Sequence, residues 1–255
     1  MERFFYGGGV FCTAGGARLG RGQMHAADYL APDEDPSPAQ TLRIDYQVLP
    51  DMMFGVLPKS IIHLFMRPFM NNLGVGLINT AKYVMNSTLG NHKRHLQSHV
   101  AFNFLLDYVP NWEKAYGAGG LIQYQCFLPK ETALDAFRDI IRLGQKHHLP
   151  NFLGVLKRHR PDPFLLSHAV DGFSFAQDYR VTRKNRAGLQ KLTEAMDQVV
   201  LEAGGKFYFA KDSTLTPEKV QRYLGEERIT RFRELKAQCD PAGVLESDLY
   251  RRCFV

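Results

Sequence analysis

The sequence predicts an α+β fold, a mainly antiparallel sheet with helices on one face, with a ferredoxin-like β-α-β-β-α-β unit in its second half. Three observations carry this expectation. Apolar residues alternate with period two in LIQYQCFL (Leu121 to Leu128) and recur in strand-like runs at Asn151 to His159 and Gly172 to Val181. Two stretches of helical period, from Glu131 to His148 and from Arg186 to Gly205, separate these runs. The 255 residues, 45% hydrophobic and 23% charged, supply material for one large domain, or one domain and a piece of another.

The elements follow in order. Residues 1 to 30 hold short apolar runs broken by glycines, which suit strands joined by tight turns. Met1 opens almost directly onto Gly7, Gly8 and Gly9, like an entry into the middle of a fold. Ala31 to Gln40 (APDEDPSPAQ) is an exposed loop, and TLRIDYQVL after it alternates as a strand does. From Met52 to Met85 the chain is Met-rich and apolar, with Lys59, Arg67 and Lys82 as its full charges. Pro58 and Pro68 divide it into two helical pieces, which either pack on the core or form a greasy surface for a lipid-like substrate or a membrane.

In the first helix of the second half, Leu134, Phe137, Ile141 and His148 share a helical spacing. In the second helix Leu189, Leu192, Met196, Val199 and Ala203 do so, and Gly204-Gly205 form its stop. KFYFAK (Lys206 to Lys211) reads as the fourth strand. Thr216 caps a helix with Pro217 at its first position, and a last helix spans roughly Glu227 to Cys239.

Several function classes lose support. The net charge of +6 comes from 32 basic and 26 acidic residues that are interspersed, which argues little for nucleic acid. Lys157, Arg158 and Arg160 could serve an RNA binder together with Phe207 and Phe209, but the RNP pattern is absent. Cys12, Cys126, Cys239 and Cys253 form no C-x-x-C pair, and no run of about 18 apolar residues occurs, so the expectation is a soluble protein in a reducing, cytoplasmic compartment, with possible membrane association. His92 and His95 could meet on a helix but lack a third ligand at metal spacing, so no metal is expected. Phosphate-loop, nucleophile-elbow and H-E-x-x-H patterns are absent.

A β-α-β-β-α-β unit covers one sheet face with both crossover helices and leaves the other face for a ligand or for solvent. Alternation puts Gln123 with Gln125 on one face, Lys157 with His159, Ser174 with Ala176 and Asp178, and Phe207 with Phe209 and Lys211. Glutamine amides orient hydroxyls, and a fixed lysine steadies developing negative charge. Such a set suits oxidation of a polyol beside a bound redox cofactor.

The runs at Asn111 to Glu131, Phe152 to Pro161, Gly172 to Tyr179, Glu202 to Ser213 and Cys239 to Arg252 resemble the C-terminal half of decaprenylphosphoryl-ribose oxidases. These are FAD-dependent enzymes of the vanillyl-alcohol oxidase fold family. The resemblance runs in pieces from Gly15 to the end and is strongest from Asn111. It implies that residues 1–204 are a substrate-binding (cap) domain and 205–255 the last segment of an FAD-binding domain whose N-terminal half is absent. It also implies a sugar or lipid-linked sugar substrate, hydride transfer to flavin, and a partner reductase.

Residue by residue, the resemblance makes Gln123, Gln125 and Lys157 pocket residues. Lys211 in Y-x-A-K-D becomes the catalytic lysine that contacts flavin and substrate, with Tyr208 beside the cofactor. Where the family has G-W-N-x-C, this chain has Gly172-Phe173-Ser174-Phe175-Ala176, so Ser174 takes the place of a pocket asparagine. The alternative is a non-catalytic ferredoxin-like binding module, or a subunit docking onto a separate flavoprotein.

Overall fold

The computed structural model describes residues 5–31, 33–53, 55–91, 93–149 and 151–255. Met1 and His92 lie outside them. Among the described residues a six-stranded sheet runs in the order β2-β1-β6-β7-β5-β8 with every neighbouring pair antiparallel.

The first two strands, β1 (Phe5–Val10) and β2 (Gly22–Ala27), form the hairpin expected from the glycine-rich start. The expected strand at 41–49 is replaced by α1 (Pro38–Thr41) and a 3₁₀ turn at Asp45–Gln47. Leu42 and Ile44 project into solvent, and without a neighbouring strand their alternation has nothing to pair with. A small hairpin, β3 (Met52–Met53) and β4 (Leu57–Pro58), precedes α2 (Ile62–Met66), α3 (Asn72–Met85) and α4 (His99–Asn103). The two helical pieces expected in 52–85 are therefore present. Asn71 rather than Pro68 starts the second, its side chain accepting from the Gly74 N–H at 2.9 Å.

The second half gives β5 (Leu121–Pro129), α5 (Ala133–Lys146), β6 (Leu153–His159), β7 (Gly172–Arg180), α6 (Arg186–Glu202) and β8 (Lys206–Phe207). Their sheet order, β6-β7-β5-β8, requires each crossover helix to step over one strand. Both helices pack on one face, where Tyr124, Cys126, Leu128, Phe175 and Tyr179 meet Ile140, Leu192, Met196 and Val200. Burying each large apolar side chain contributes about 1.5–3 kcal/mol. On α5 the inward positions are Ala133, Ala136, Ile140 and Ile141, while Leu134 is exposed. Of the expected positions, Ile141 is buried and Phe137 packs on Phe175, while Leu134 and His148 are exposed, so the inward face is the expected one only at its middle.

Two glycines are required by geometry. Gly204 ends α6 at φ +71°, the left-handed cap, and a Cβ on Gly172 would lie 1.9 Å from the Leu128 carbonyl oxygen across the strand pair.

The chain closes with α7 (Pro217–Leu224), α8 (Glu226–Cys239) and α9 (Asp248–Phe254). Thr216 caps α7 by accepting from Lys219 N–H at 3.4 Å. Leu215, Val220, Leu224, Ile229 and Phe254 join the same core as α6. A buried ion pair ties these segments together. Lys219 Nζ lies 2.6 Å from Asp197 Oδ2, and the Tyr124 hydroxyl donates to Asp197 Oδ1 at 3.0 Å. Burial raises the Asp197 carboxyl pKa despite the lysine.

Candidate functional site

The sheet face turned away from α5 and α6 carries the polar residues picked out by alternation. Register puts Gln123 opposite Asp178, Gln125 opposite Ala176 and Lys157 opposite Ser174, so their side chains rise on the same side. Gln123 Nε2 donates to Asp178 Oδ1 at 3.0 Å, and Gln125 Nε2 to Ser174 Oγ at 3.4 Å. Ser174 is fully buried and also meets His159 Nε2 at 2.8 Å, so one hydroxyl joins β5, β7 and β6. Lys157 is exposed beside this row.

Lys211 reaches the site by a different route from the one expected. The strand read over Lys206 to Lys211 stops at Phe207, and Phe209–Lys211 form a 3₁₀ turn. Phe207 pairs with Cys126 and therefore faces the helices, where its ring meets Tyr124 edge-on at 6.3 Å. Phe209 packs on Tyr223 and Phe254. Neither phenylalanine lies on the open face. The turn swings Lys211 to the open side, where it feels the charges of Asp178 and Lys157. Its loop is pinned from behind: Thr214 and Leu215 N–H donate to Asp212 Oδ1 at 3.0 Å, and Arg252 of α9 lies 2.7 Å from Asp212 Oδ2.

Tyr208 N–H donates to the Gln125 carbonyl at 3.2 Å, and its ring meets His168 at 4.8 Å and Phe127 at 6.2 Å. Phe127 in turn contacts His159 at 4.8 Å and His168 at 4.5 Å. A narrow cleft of about 10 Å³, the space of a single water, lies at the sheet edge among Gln123, Gln125, Thr193, Phe207, Tyr208 and Lys211, where β5 continues past the short β8.

The electrostatics follow from burial. The Asp178 carboxyl is pushed above its ordinary value chiefly by desolvation, against the pull of Gln123 and Lys211. Its Oδ2 is buried, and the Tyr116 phenol approaches the carboxyl and helps to hold it in the charged form. Burial and the Asp178 charge together raise the Tyr116 phenol. Lys211 is lowered by burial and by Lys157, partly offset by Asp178. His159 is pushed down to about 4, first by burial and then by His168, Lys157 and Arg158.

Asp178 and His159 had been placed on the right faces by alternation, yet no motif marked them as site residues. Tyr116 and His168 had no local signal at all. Tyr116 arrives from a 3₁₀ turn at Trp112–Tyr116, held by Arg180, which donates to the Tyr116 and Met70 carbonyls at 2.9 and 3.0 Å. Of the His92–His95 pair, His95 contacts Gln97 at 3.2 Å and His92 lies outside the described residues. Among the described residues no group of His, Cys, Asp and Glu is arranged to hold a metal ion, and no helix is long and apolar enough to cross a membrane.

Over 164 residues, 64% of its length, the chain is 34% identical to a curated protein of Mycolicibacterium smegmatis named decaprenylphosphoryl-beta-D-ribose oxidase. The chain resembles that oxidase. It is also 31% identical over 140 residues to an uncharacterised protein of the mprA 5′ region in Streptomyces coelicolor. The matched stretches cover 34% and 36% of these two relatives, so the chain spans about a third of the length of each. No family model matches the chain. The likeness to the mycobacterial oxidase is the one that the spaced motifs from Asn111 onward had indicated.

Proposed function

We propose that this chain is the substrate-binding portion of an FAD-dependent oxidoreductase that oxidises a sugar or other alcohol by hydride transfer to flavin. The observation that carries the proposal is the convergence of Gln123, Gln125, Asp178, Lys157 and Lys211 on one sheet face, in a chain similar to a decaprenylphosphoryl-ribose oxidase. In this reading residues 1–204 form the substrate side, and 205–255 form a segment of the FAD-binding part that shares the core of 121–204. Most flavin contacts belong to a portion outside this sequence, and a reductase is a further candidate partner.

The residues present fit a redox ring and a hydroxylated substrate. The face combines amide donors and acceptors with a half-buried lysine and a buried carboxyl, Asp178, held by Gln123 and approached by the Tyr116 phenol. FAD, when bound, supplies the hydride acceptor that converts the alcohol carbon to a ketone. Gln123 and Gln125 orient hydroxyls, each amide having a donor and an acceptor side. Asp178, buried behind this row, fixes the Gln123 amide by accepting from its Nε2 at 3.0 Å. Lys157, exposed at the rim, holds an anionic group of the substrate. Lys211 supplies positive charge where negative charge grows, and Tyr208, whose ring is fixed by Phe127 and His168, lines the cofactor side.

The test is anaerobic mixing of this chain, joined to the portion that carries most flavin contacts and loaded with FAD, with decaprenylphosphoryl ribose while the oxidised-flavin absorbance is followed. Bleaching is expected, slowed about 10²-fold by Lys211→Ala. Unchanged single-turnover bleaching in that variant removes Lys211 from the mechanism, and no bleaching with any sugar alcohol overturns the reading. The isolated 255-residue chain is expected to bind FAD poorly. A stoichiometric yellow protein after purification would contradict that division of labour.

A further inference from the structure

The stretch from Met52 to Leu106 contains no aspartate or glutamate. All 26 acidic residues of the chain lie outside it, while Lys59, Arg67, Lys82, Lys93 and Arg94 lie within. Lys59 is buried, its ammonium 5.0 Å from the centre of the Tyr108 ring, and the other four cations are exposed. A charge pattern of one sign over so long a segment sets up a local positive field, although the chain as a whole is mixed.

The helix at the centre of this stretch, α3, is inverted relative to an ordinary surface helix. Its inward side is anchored largely by polar groups. Asn72 Nδ2 donates to the His148 carbonyl at 3.2 Å, Asn79 Nδ2 to Thr13 Oγ1 at 3.3 Å, and the Lys82 carbonyl accepts from Gln23 Nε2 at 3.2 Å. Gly74 and Val75 are its buried residues. Leu73, Leu77 and Val84, spaced four and seven apart and so on one stripe, point outward with 75%, 59% and 53% of their surface exposed. Leu64, Phe65 and Phe69, from α2 and the turn after it, are exposed as well. Apolar side chains flanked by cations and free of acids form a surface for which water is a poor solvent.

We propose that this face, centred on α3 with Phe65, Phe69, Arg67 and Lys82 around it, docks onto the surface of an anionic lipid bilayer. With 14 residues α3 is about 21 Å long, too short for the roughly 30 Å hydrocarbon core, so it lies in the interface with its leucines in the acyl boundary and the lysine and arginines among the headgroups. Anionic headgroups complement the cations Arg67 and Lys82 that this acid-free stretch places around the leucines. A second copy of this chain does not, because a two-fold interface would set the basic patch against itself. The proposal does not rest on the oxidase reading, and its test uses neither flavin nor substrate.

The full chain is floated with vesicles of phosphatidylcholine alone and of phosphatidylcholine mixed with phosphatidylglycerol. Binding is expected to the anionic vesicles and to weaken at high salt. It should fall about tenfold or more in Arg67→Glu/Lys82→Glu, which reverses two interfacial charges, and in Leu73→Glu/Leu77→Glu. All four positions are exposed, so an unchanged denaturation midpoint shows that each variant still folds. No flotation of the unsubstituted chain, equal binding to both vesicle types, or full binding by the leucine variant overturns the proposal. Self-association in sedimentation velocity that is abolished by the leucine substitutions, without vesicle binding, would assign the face to a second copy instead.

Discussion

In α6, Leu192, Met196 and Val200 are fully buried against the sheet, whereas in α3, Leu73, Leu77 and Val84 stand in solvent. Both helices have apolar residues at helical spacing, and the difference lies in what faces them. The sheet of β5, β6 and β7 gives α6 a broad apolar partner surface. The β1–β2 hairpin and its connecting loop offer α3 a narrower, mixed surface, with Gln23 and Thr13 bonding to it and Phe11 and Arg21 against Tyr83, so much of its apolar stripe is left outside. A helical stripe therefore reports that a surface is apolar, not that it is inside.

Four substitutions test this contrast. Asp197→Ala should have the largest effect, lowering unfolding stability in urea by about 3–5 kcal/mol, because it strands the mostly buried Lys219 ammonium and the Tyr124 hydroxyl. Leu192→Ala should cost about 2–5 kcal/mol in the same titration through the cavity it leaves.

The third change concerns pH. The His159 pKa is about 4 in the fold against an ordinary 6.5, so the unfolded chain binds the extra proton first. Its contribution is present above pH 6.5 and is lost as pH falls towards 4. His159→Gln keeps a hydrogen-bonding group for Ser174 and does not titrate. Stability measured across that window should flatten by about 1–2 kcal/mol once solvent screening of this half-buried ring is counted. His168, also lowered by burial, leaves a smaller residual slope. The smallest effect belongs to Leu77→Ala on α3, expected within about 0.5 kcal/mol of the unsubstituted chain. A loss near that of Leu192→Ala would show that α3 packs against something in solution.

The site divides in the same way between local pattern and distant contact. Gln123, Gln125, Lys157 and Ser174 could be placed because strands alternate strictly, and three paired strands keep their open sides in common. The same rule failed at 206–211, where pairing ends after two residues and a 3₁₀ turn breaks the period, sending Phe207 and Phe209 inward and Lys211 to the open side. It failed also at 41–49, where an alternating run has no partner strand.

By itself the sequence determined the order of strands and helices in 121–225, the glycine and threonine stops and caps, and the membership of one polar sheet face. These depend on local dihedral preferences and on periods of two and 3.6 residues, which a chain carries wherever it goes. Tertiary structure alone decided that Asp178 would be buried and that Tyr116 would approach it from 62 residues away. It also decided that Ser174 would join three strands and that α3 would wear its leucines outside. Each of these depends on which surfaces compete for the same apolar and polar partners, and that competition exists only once the chain has closed on itself.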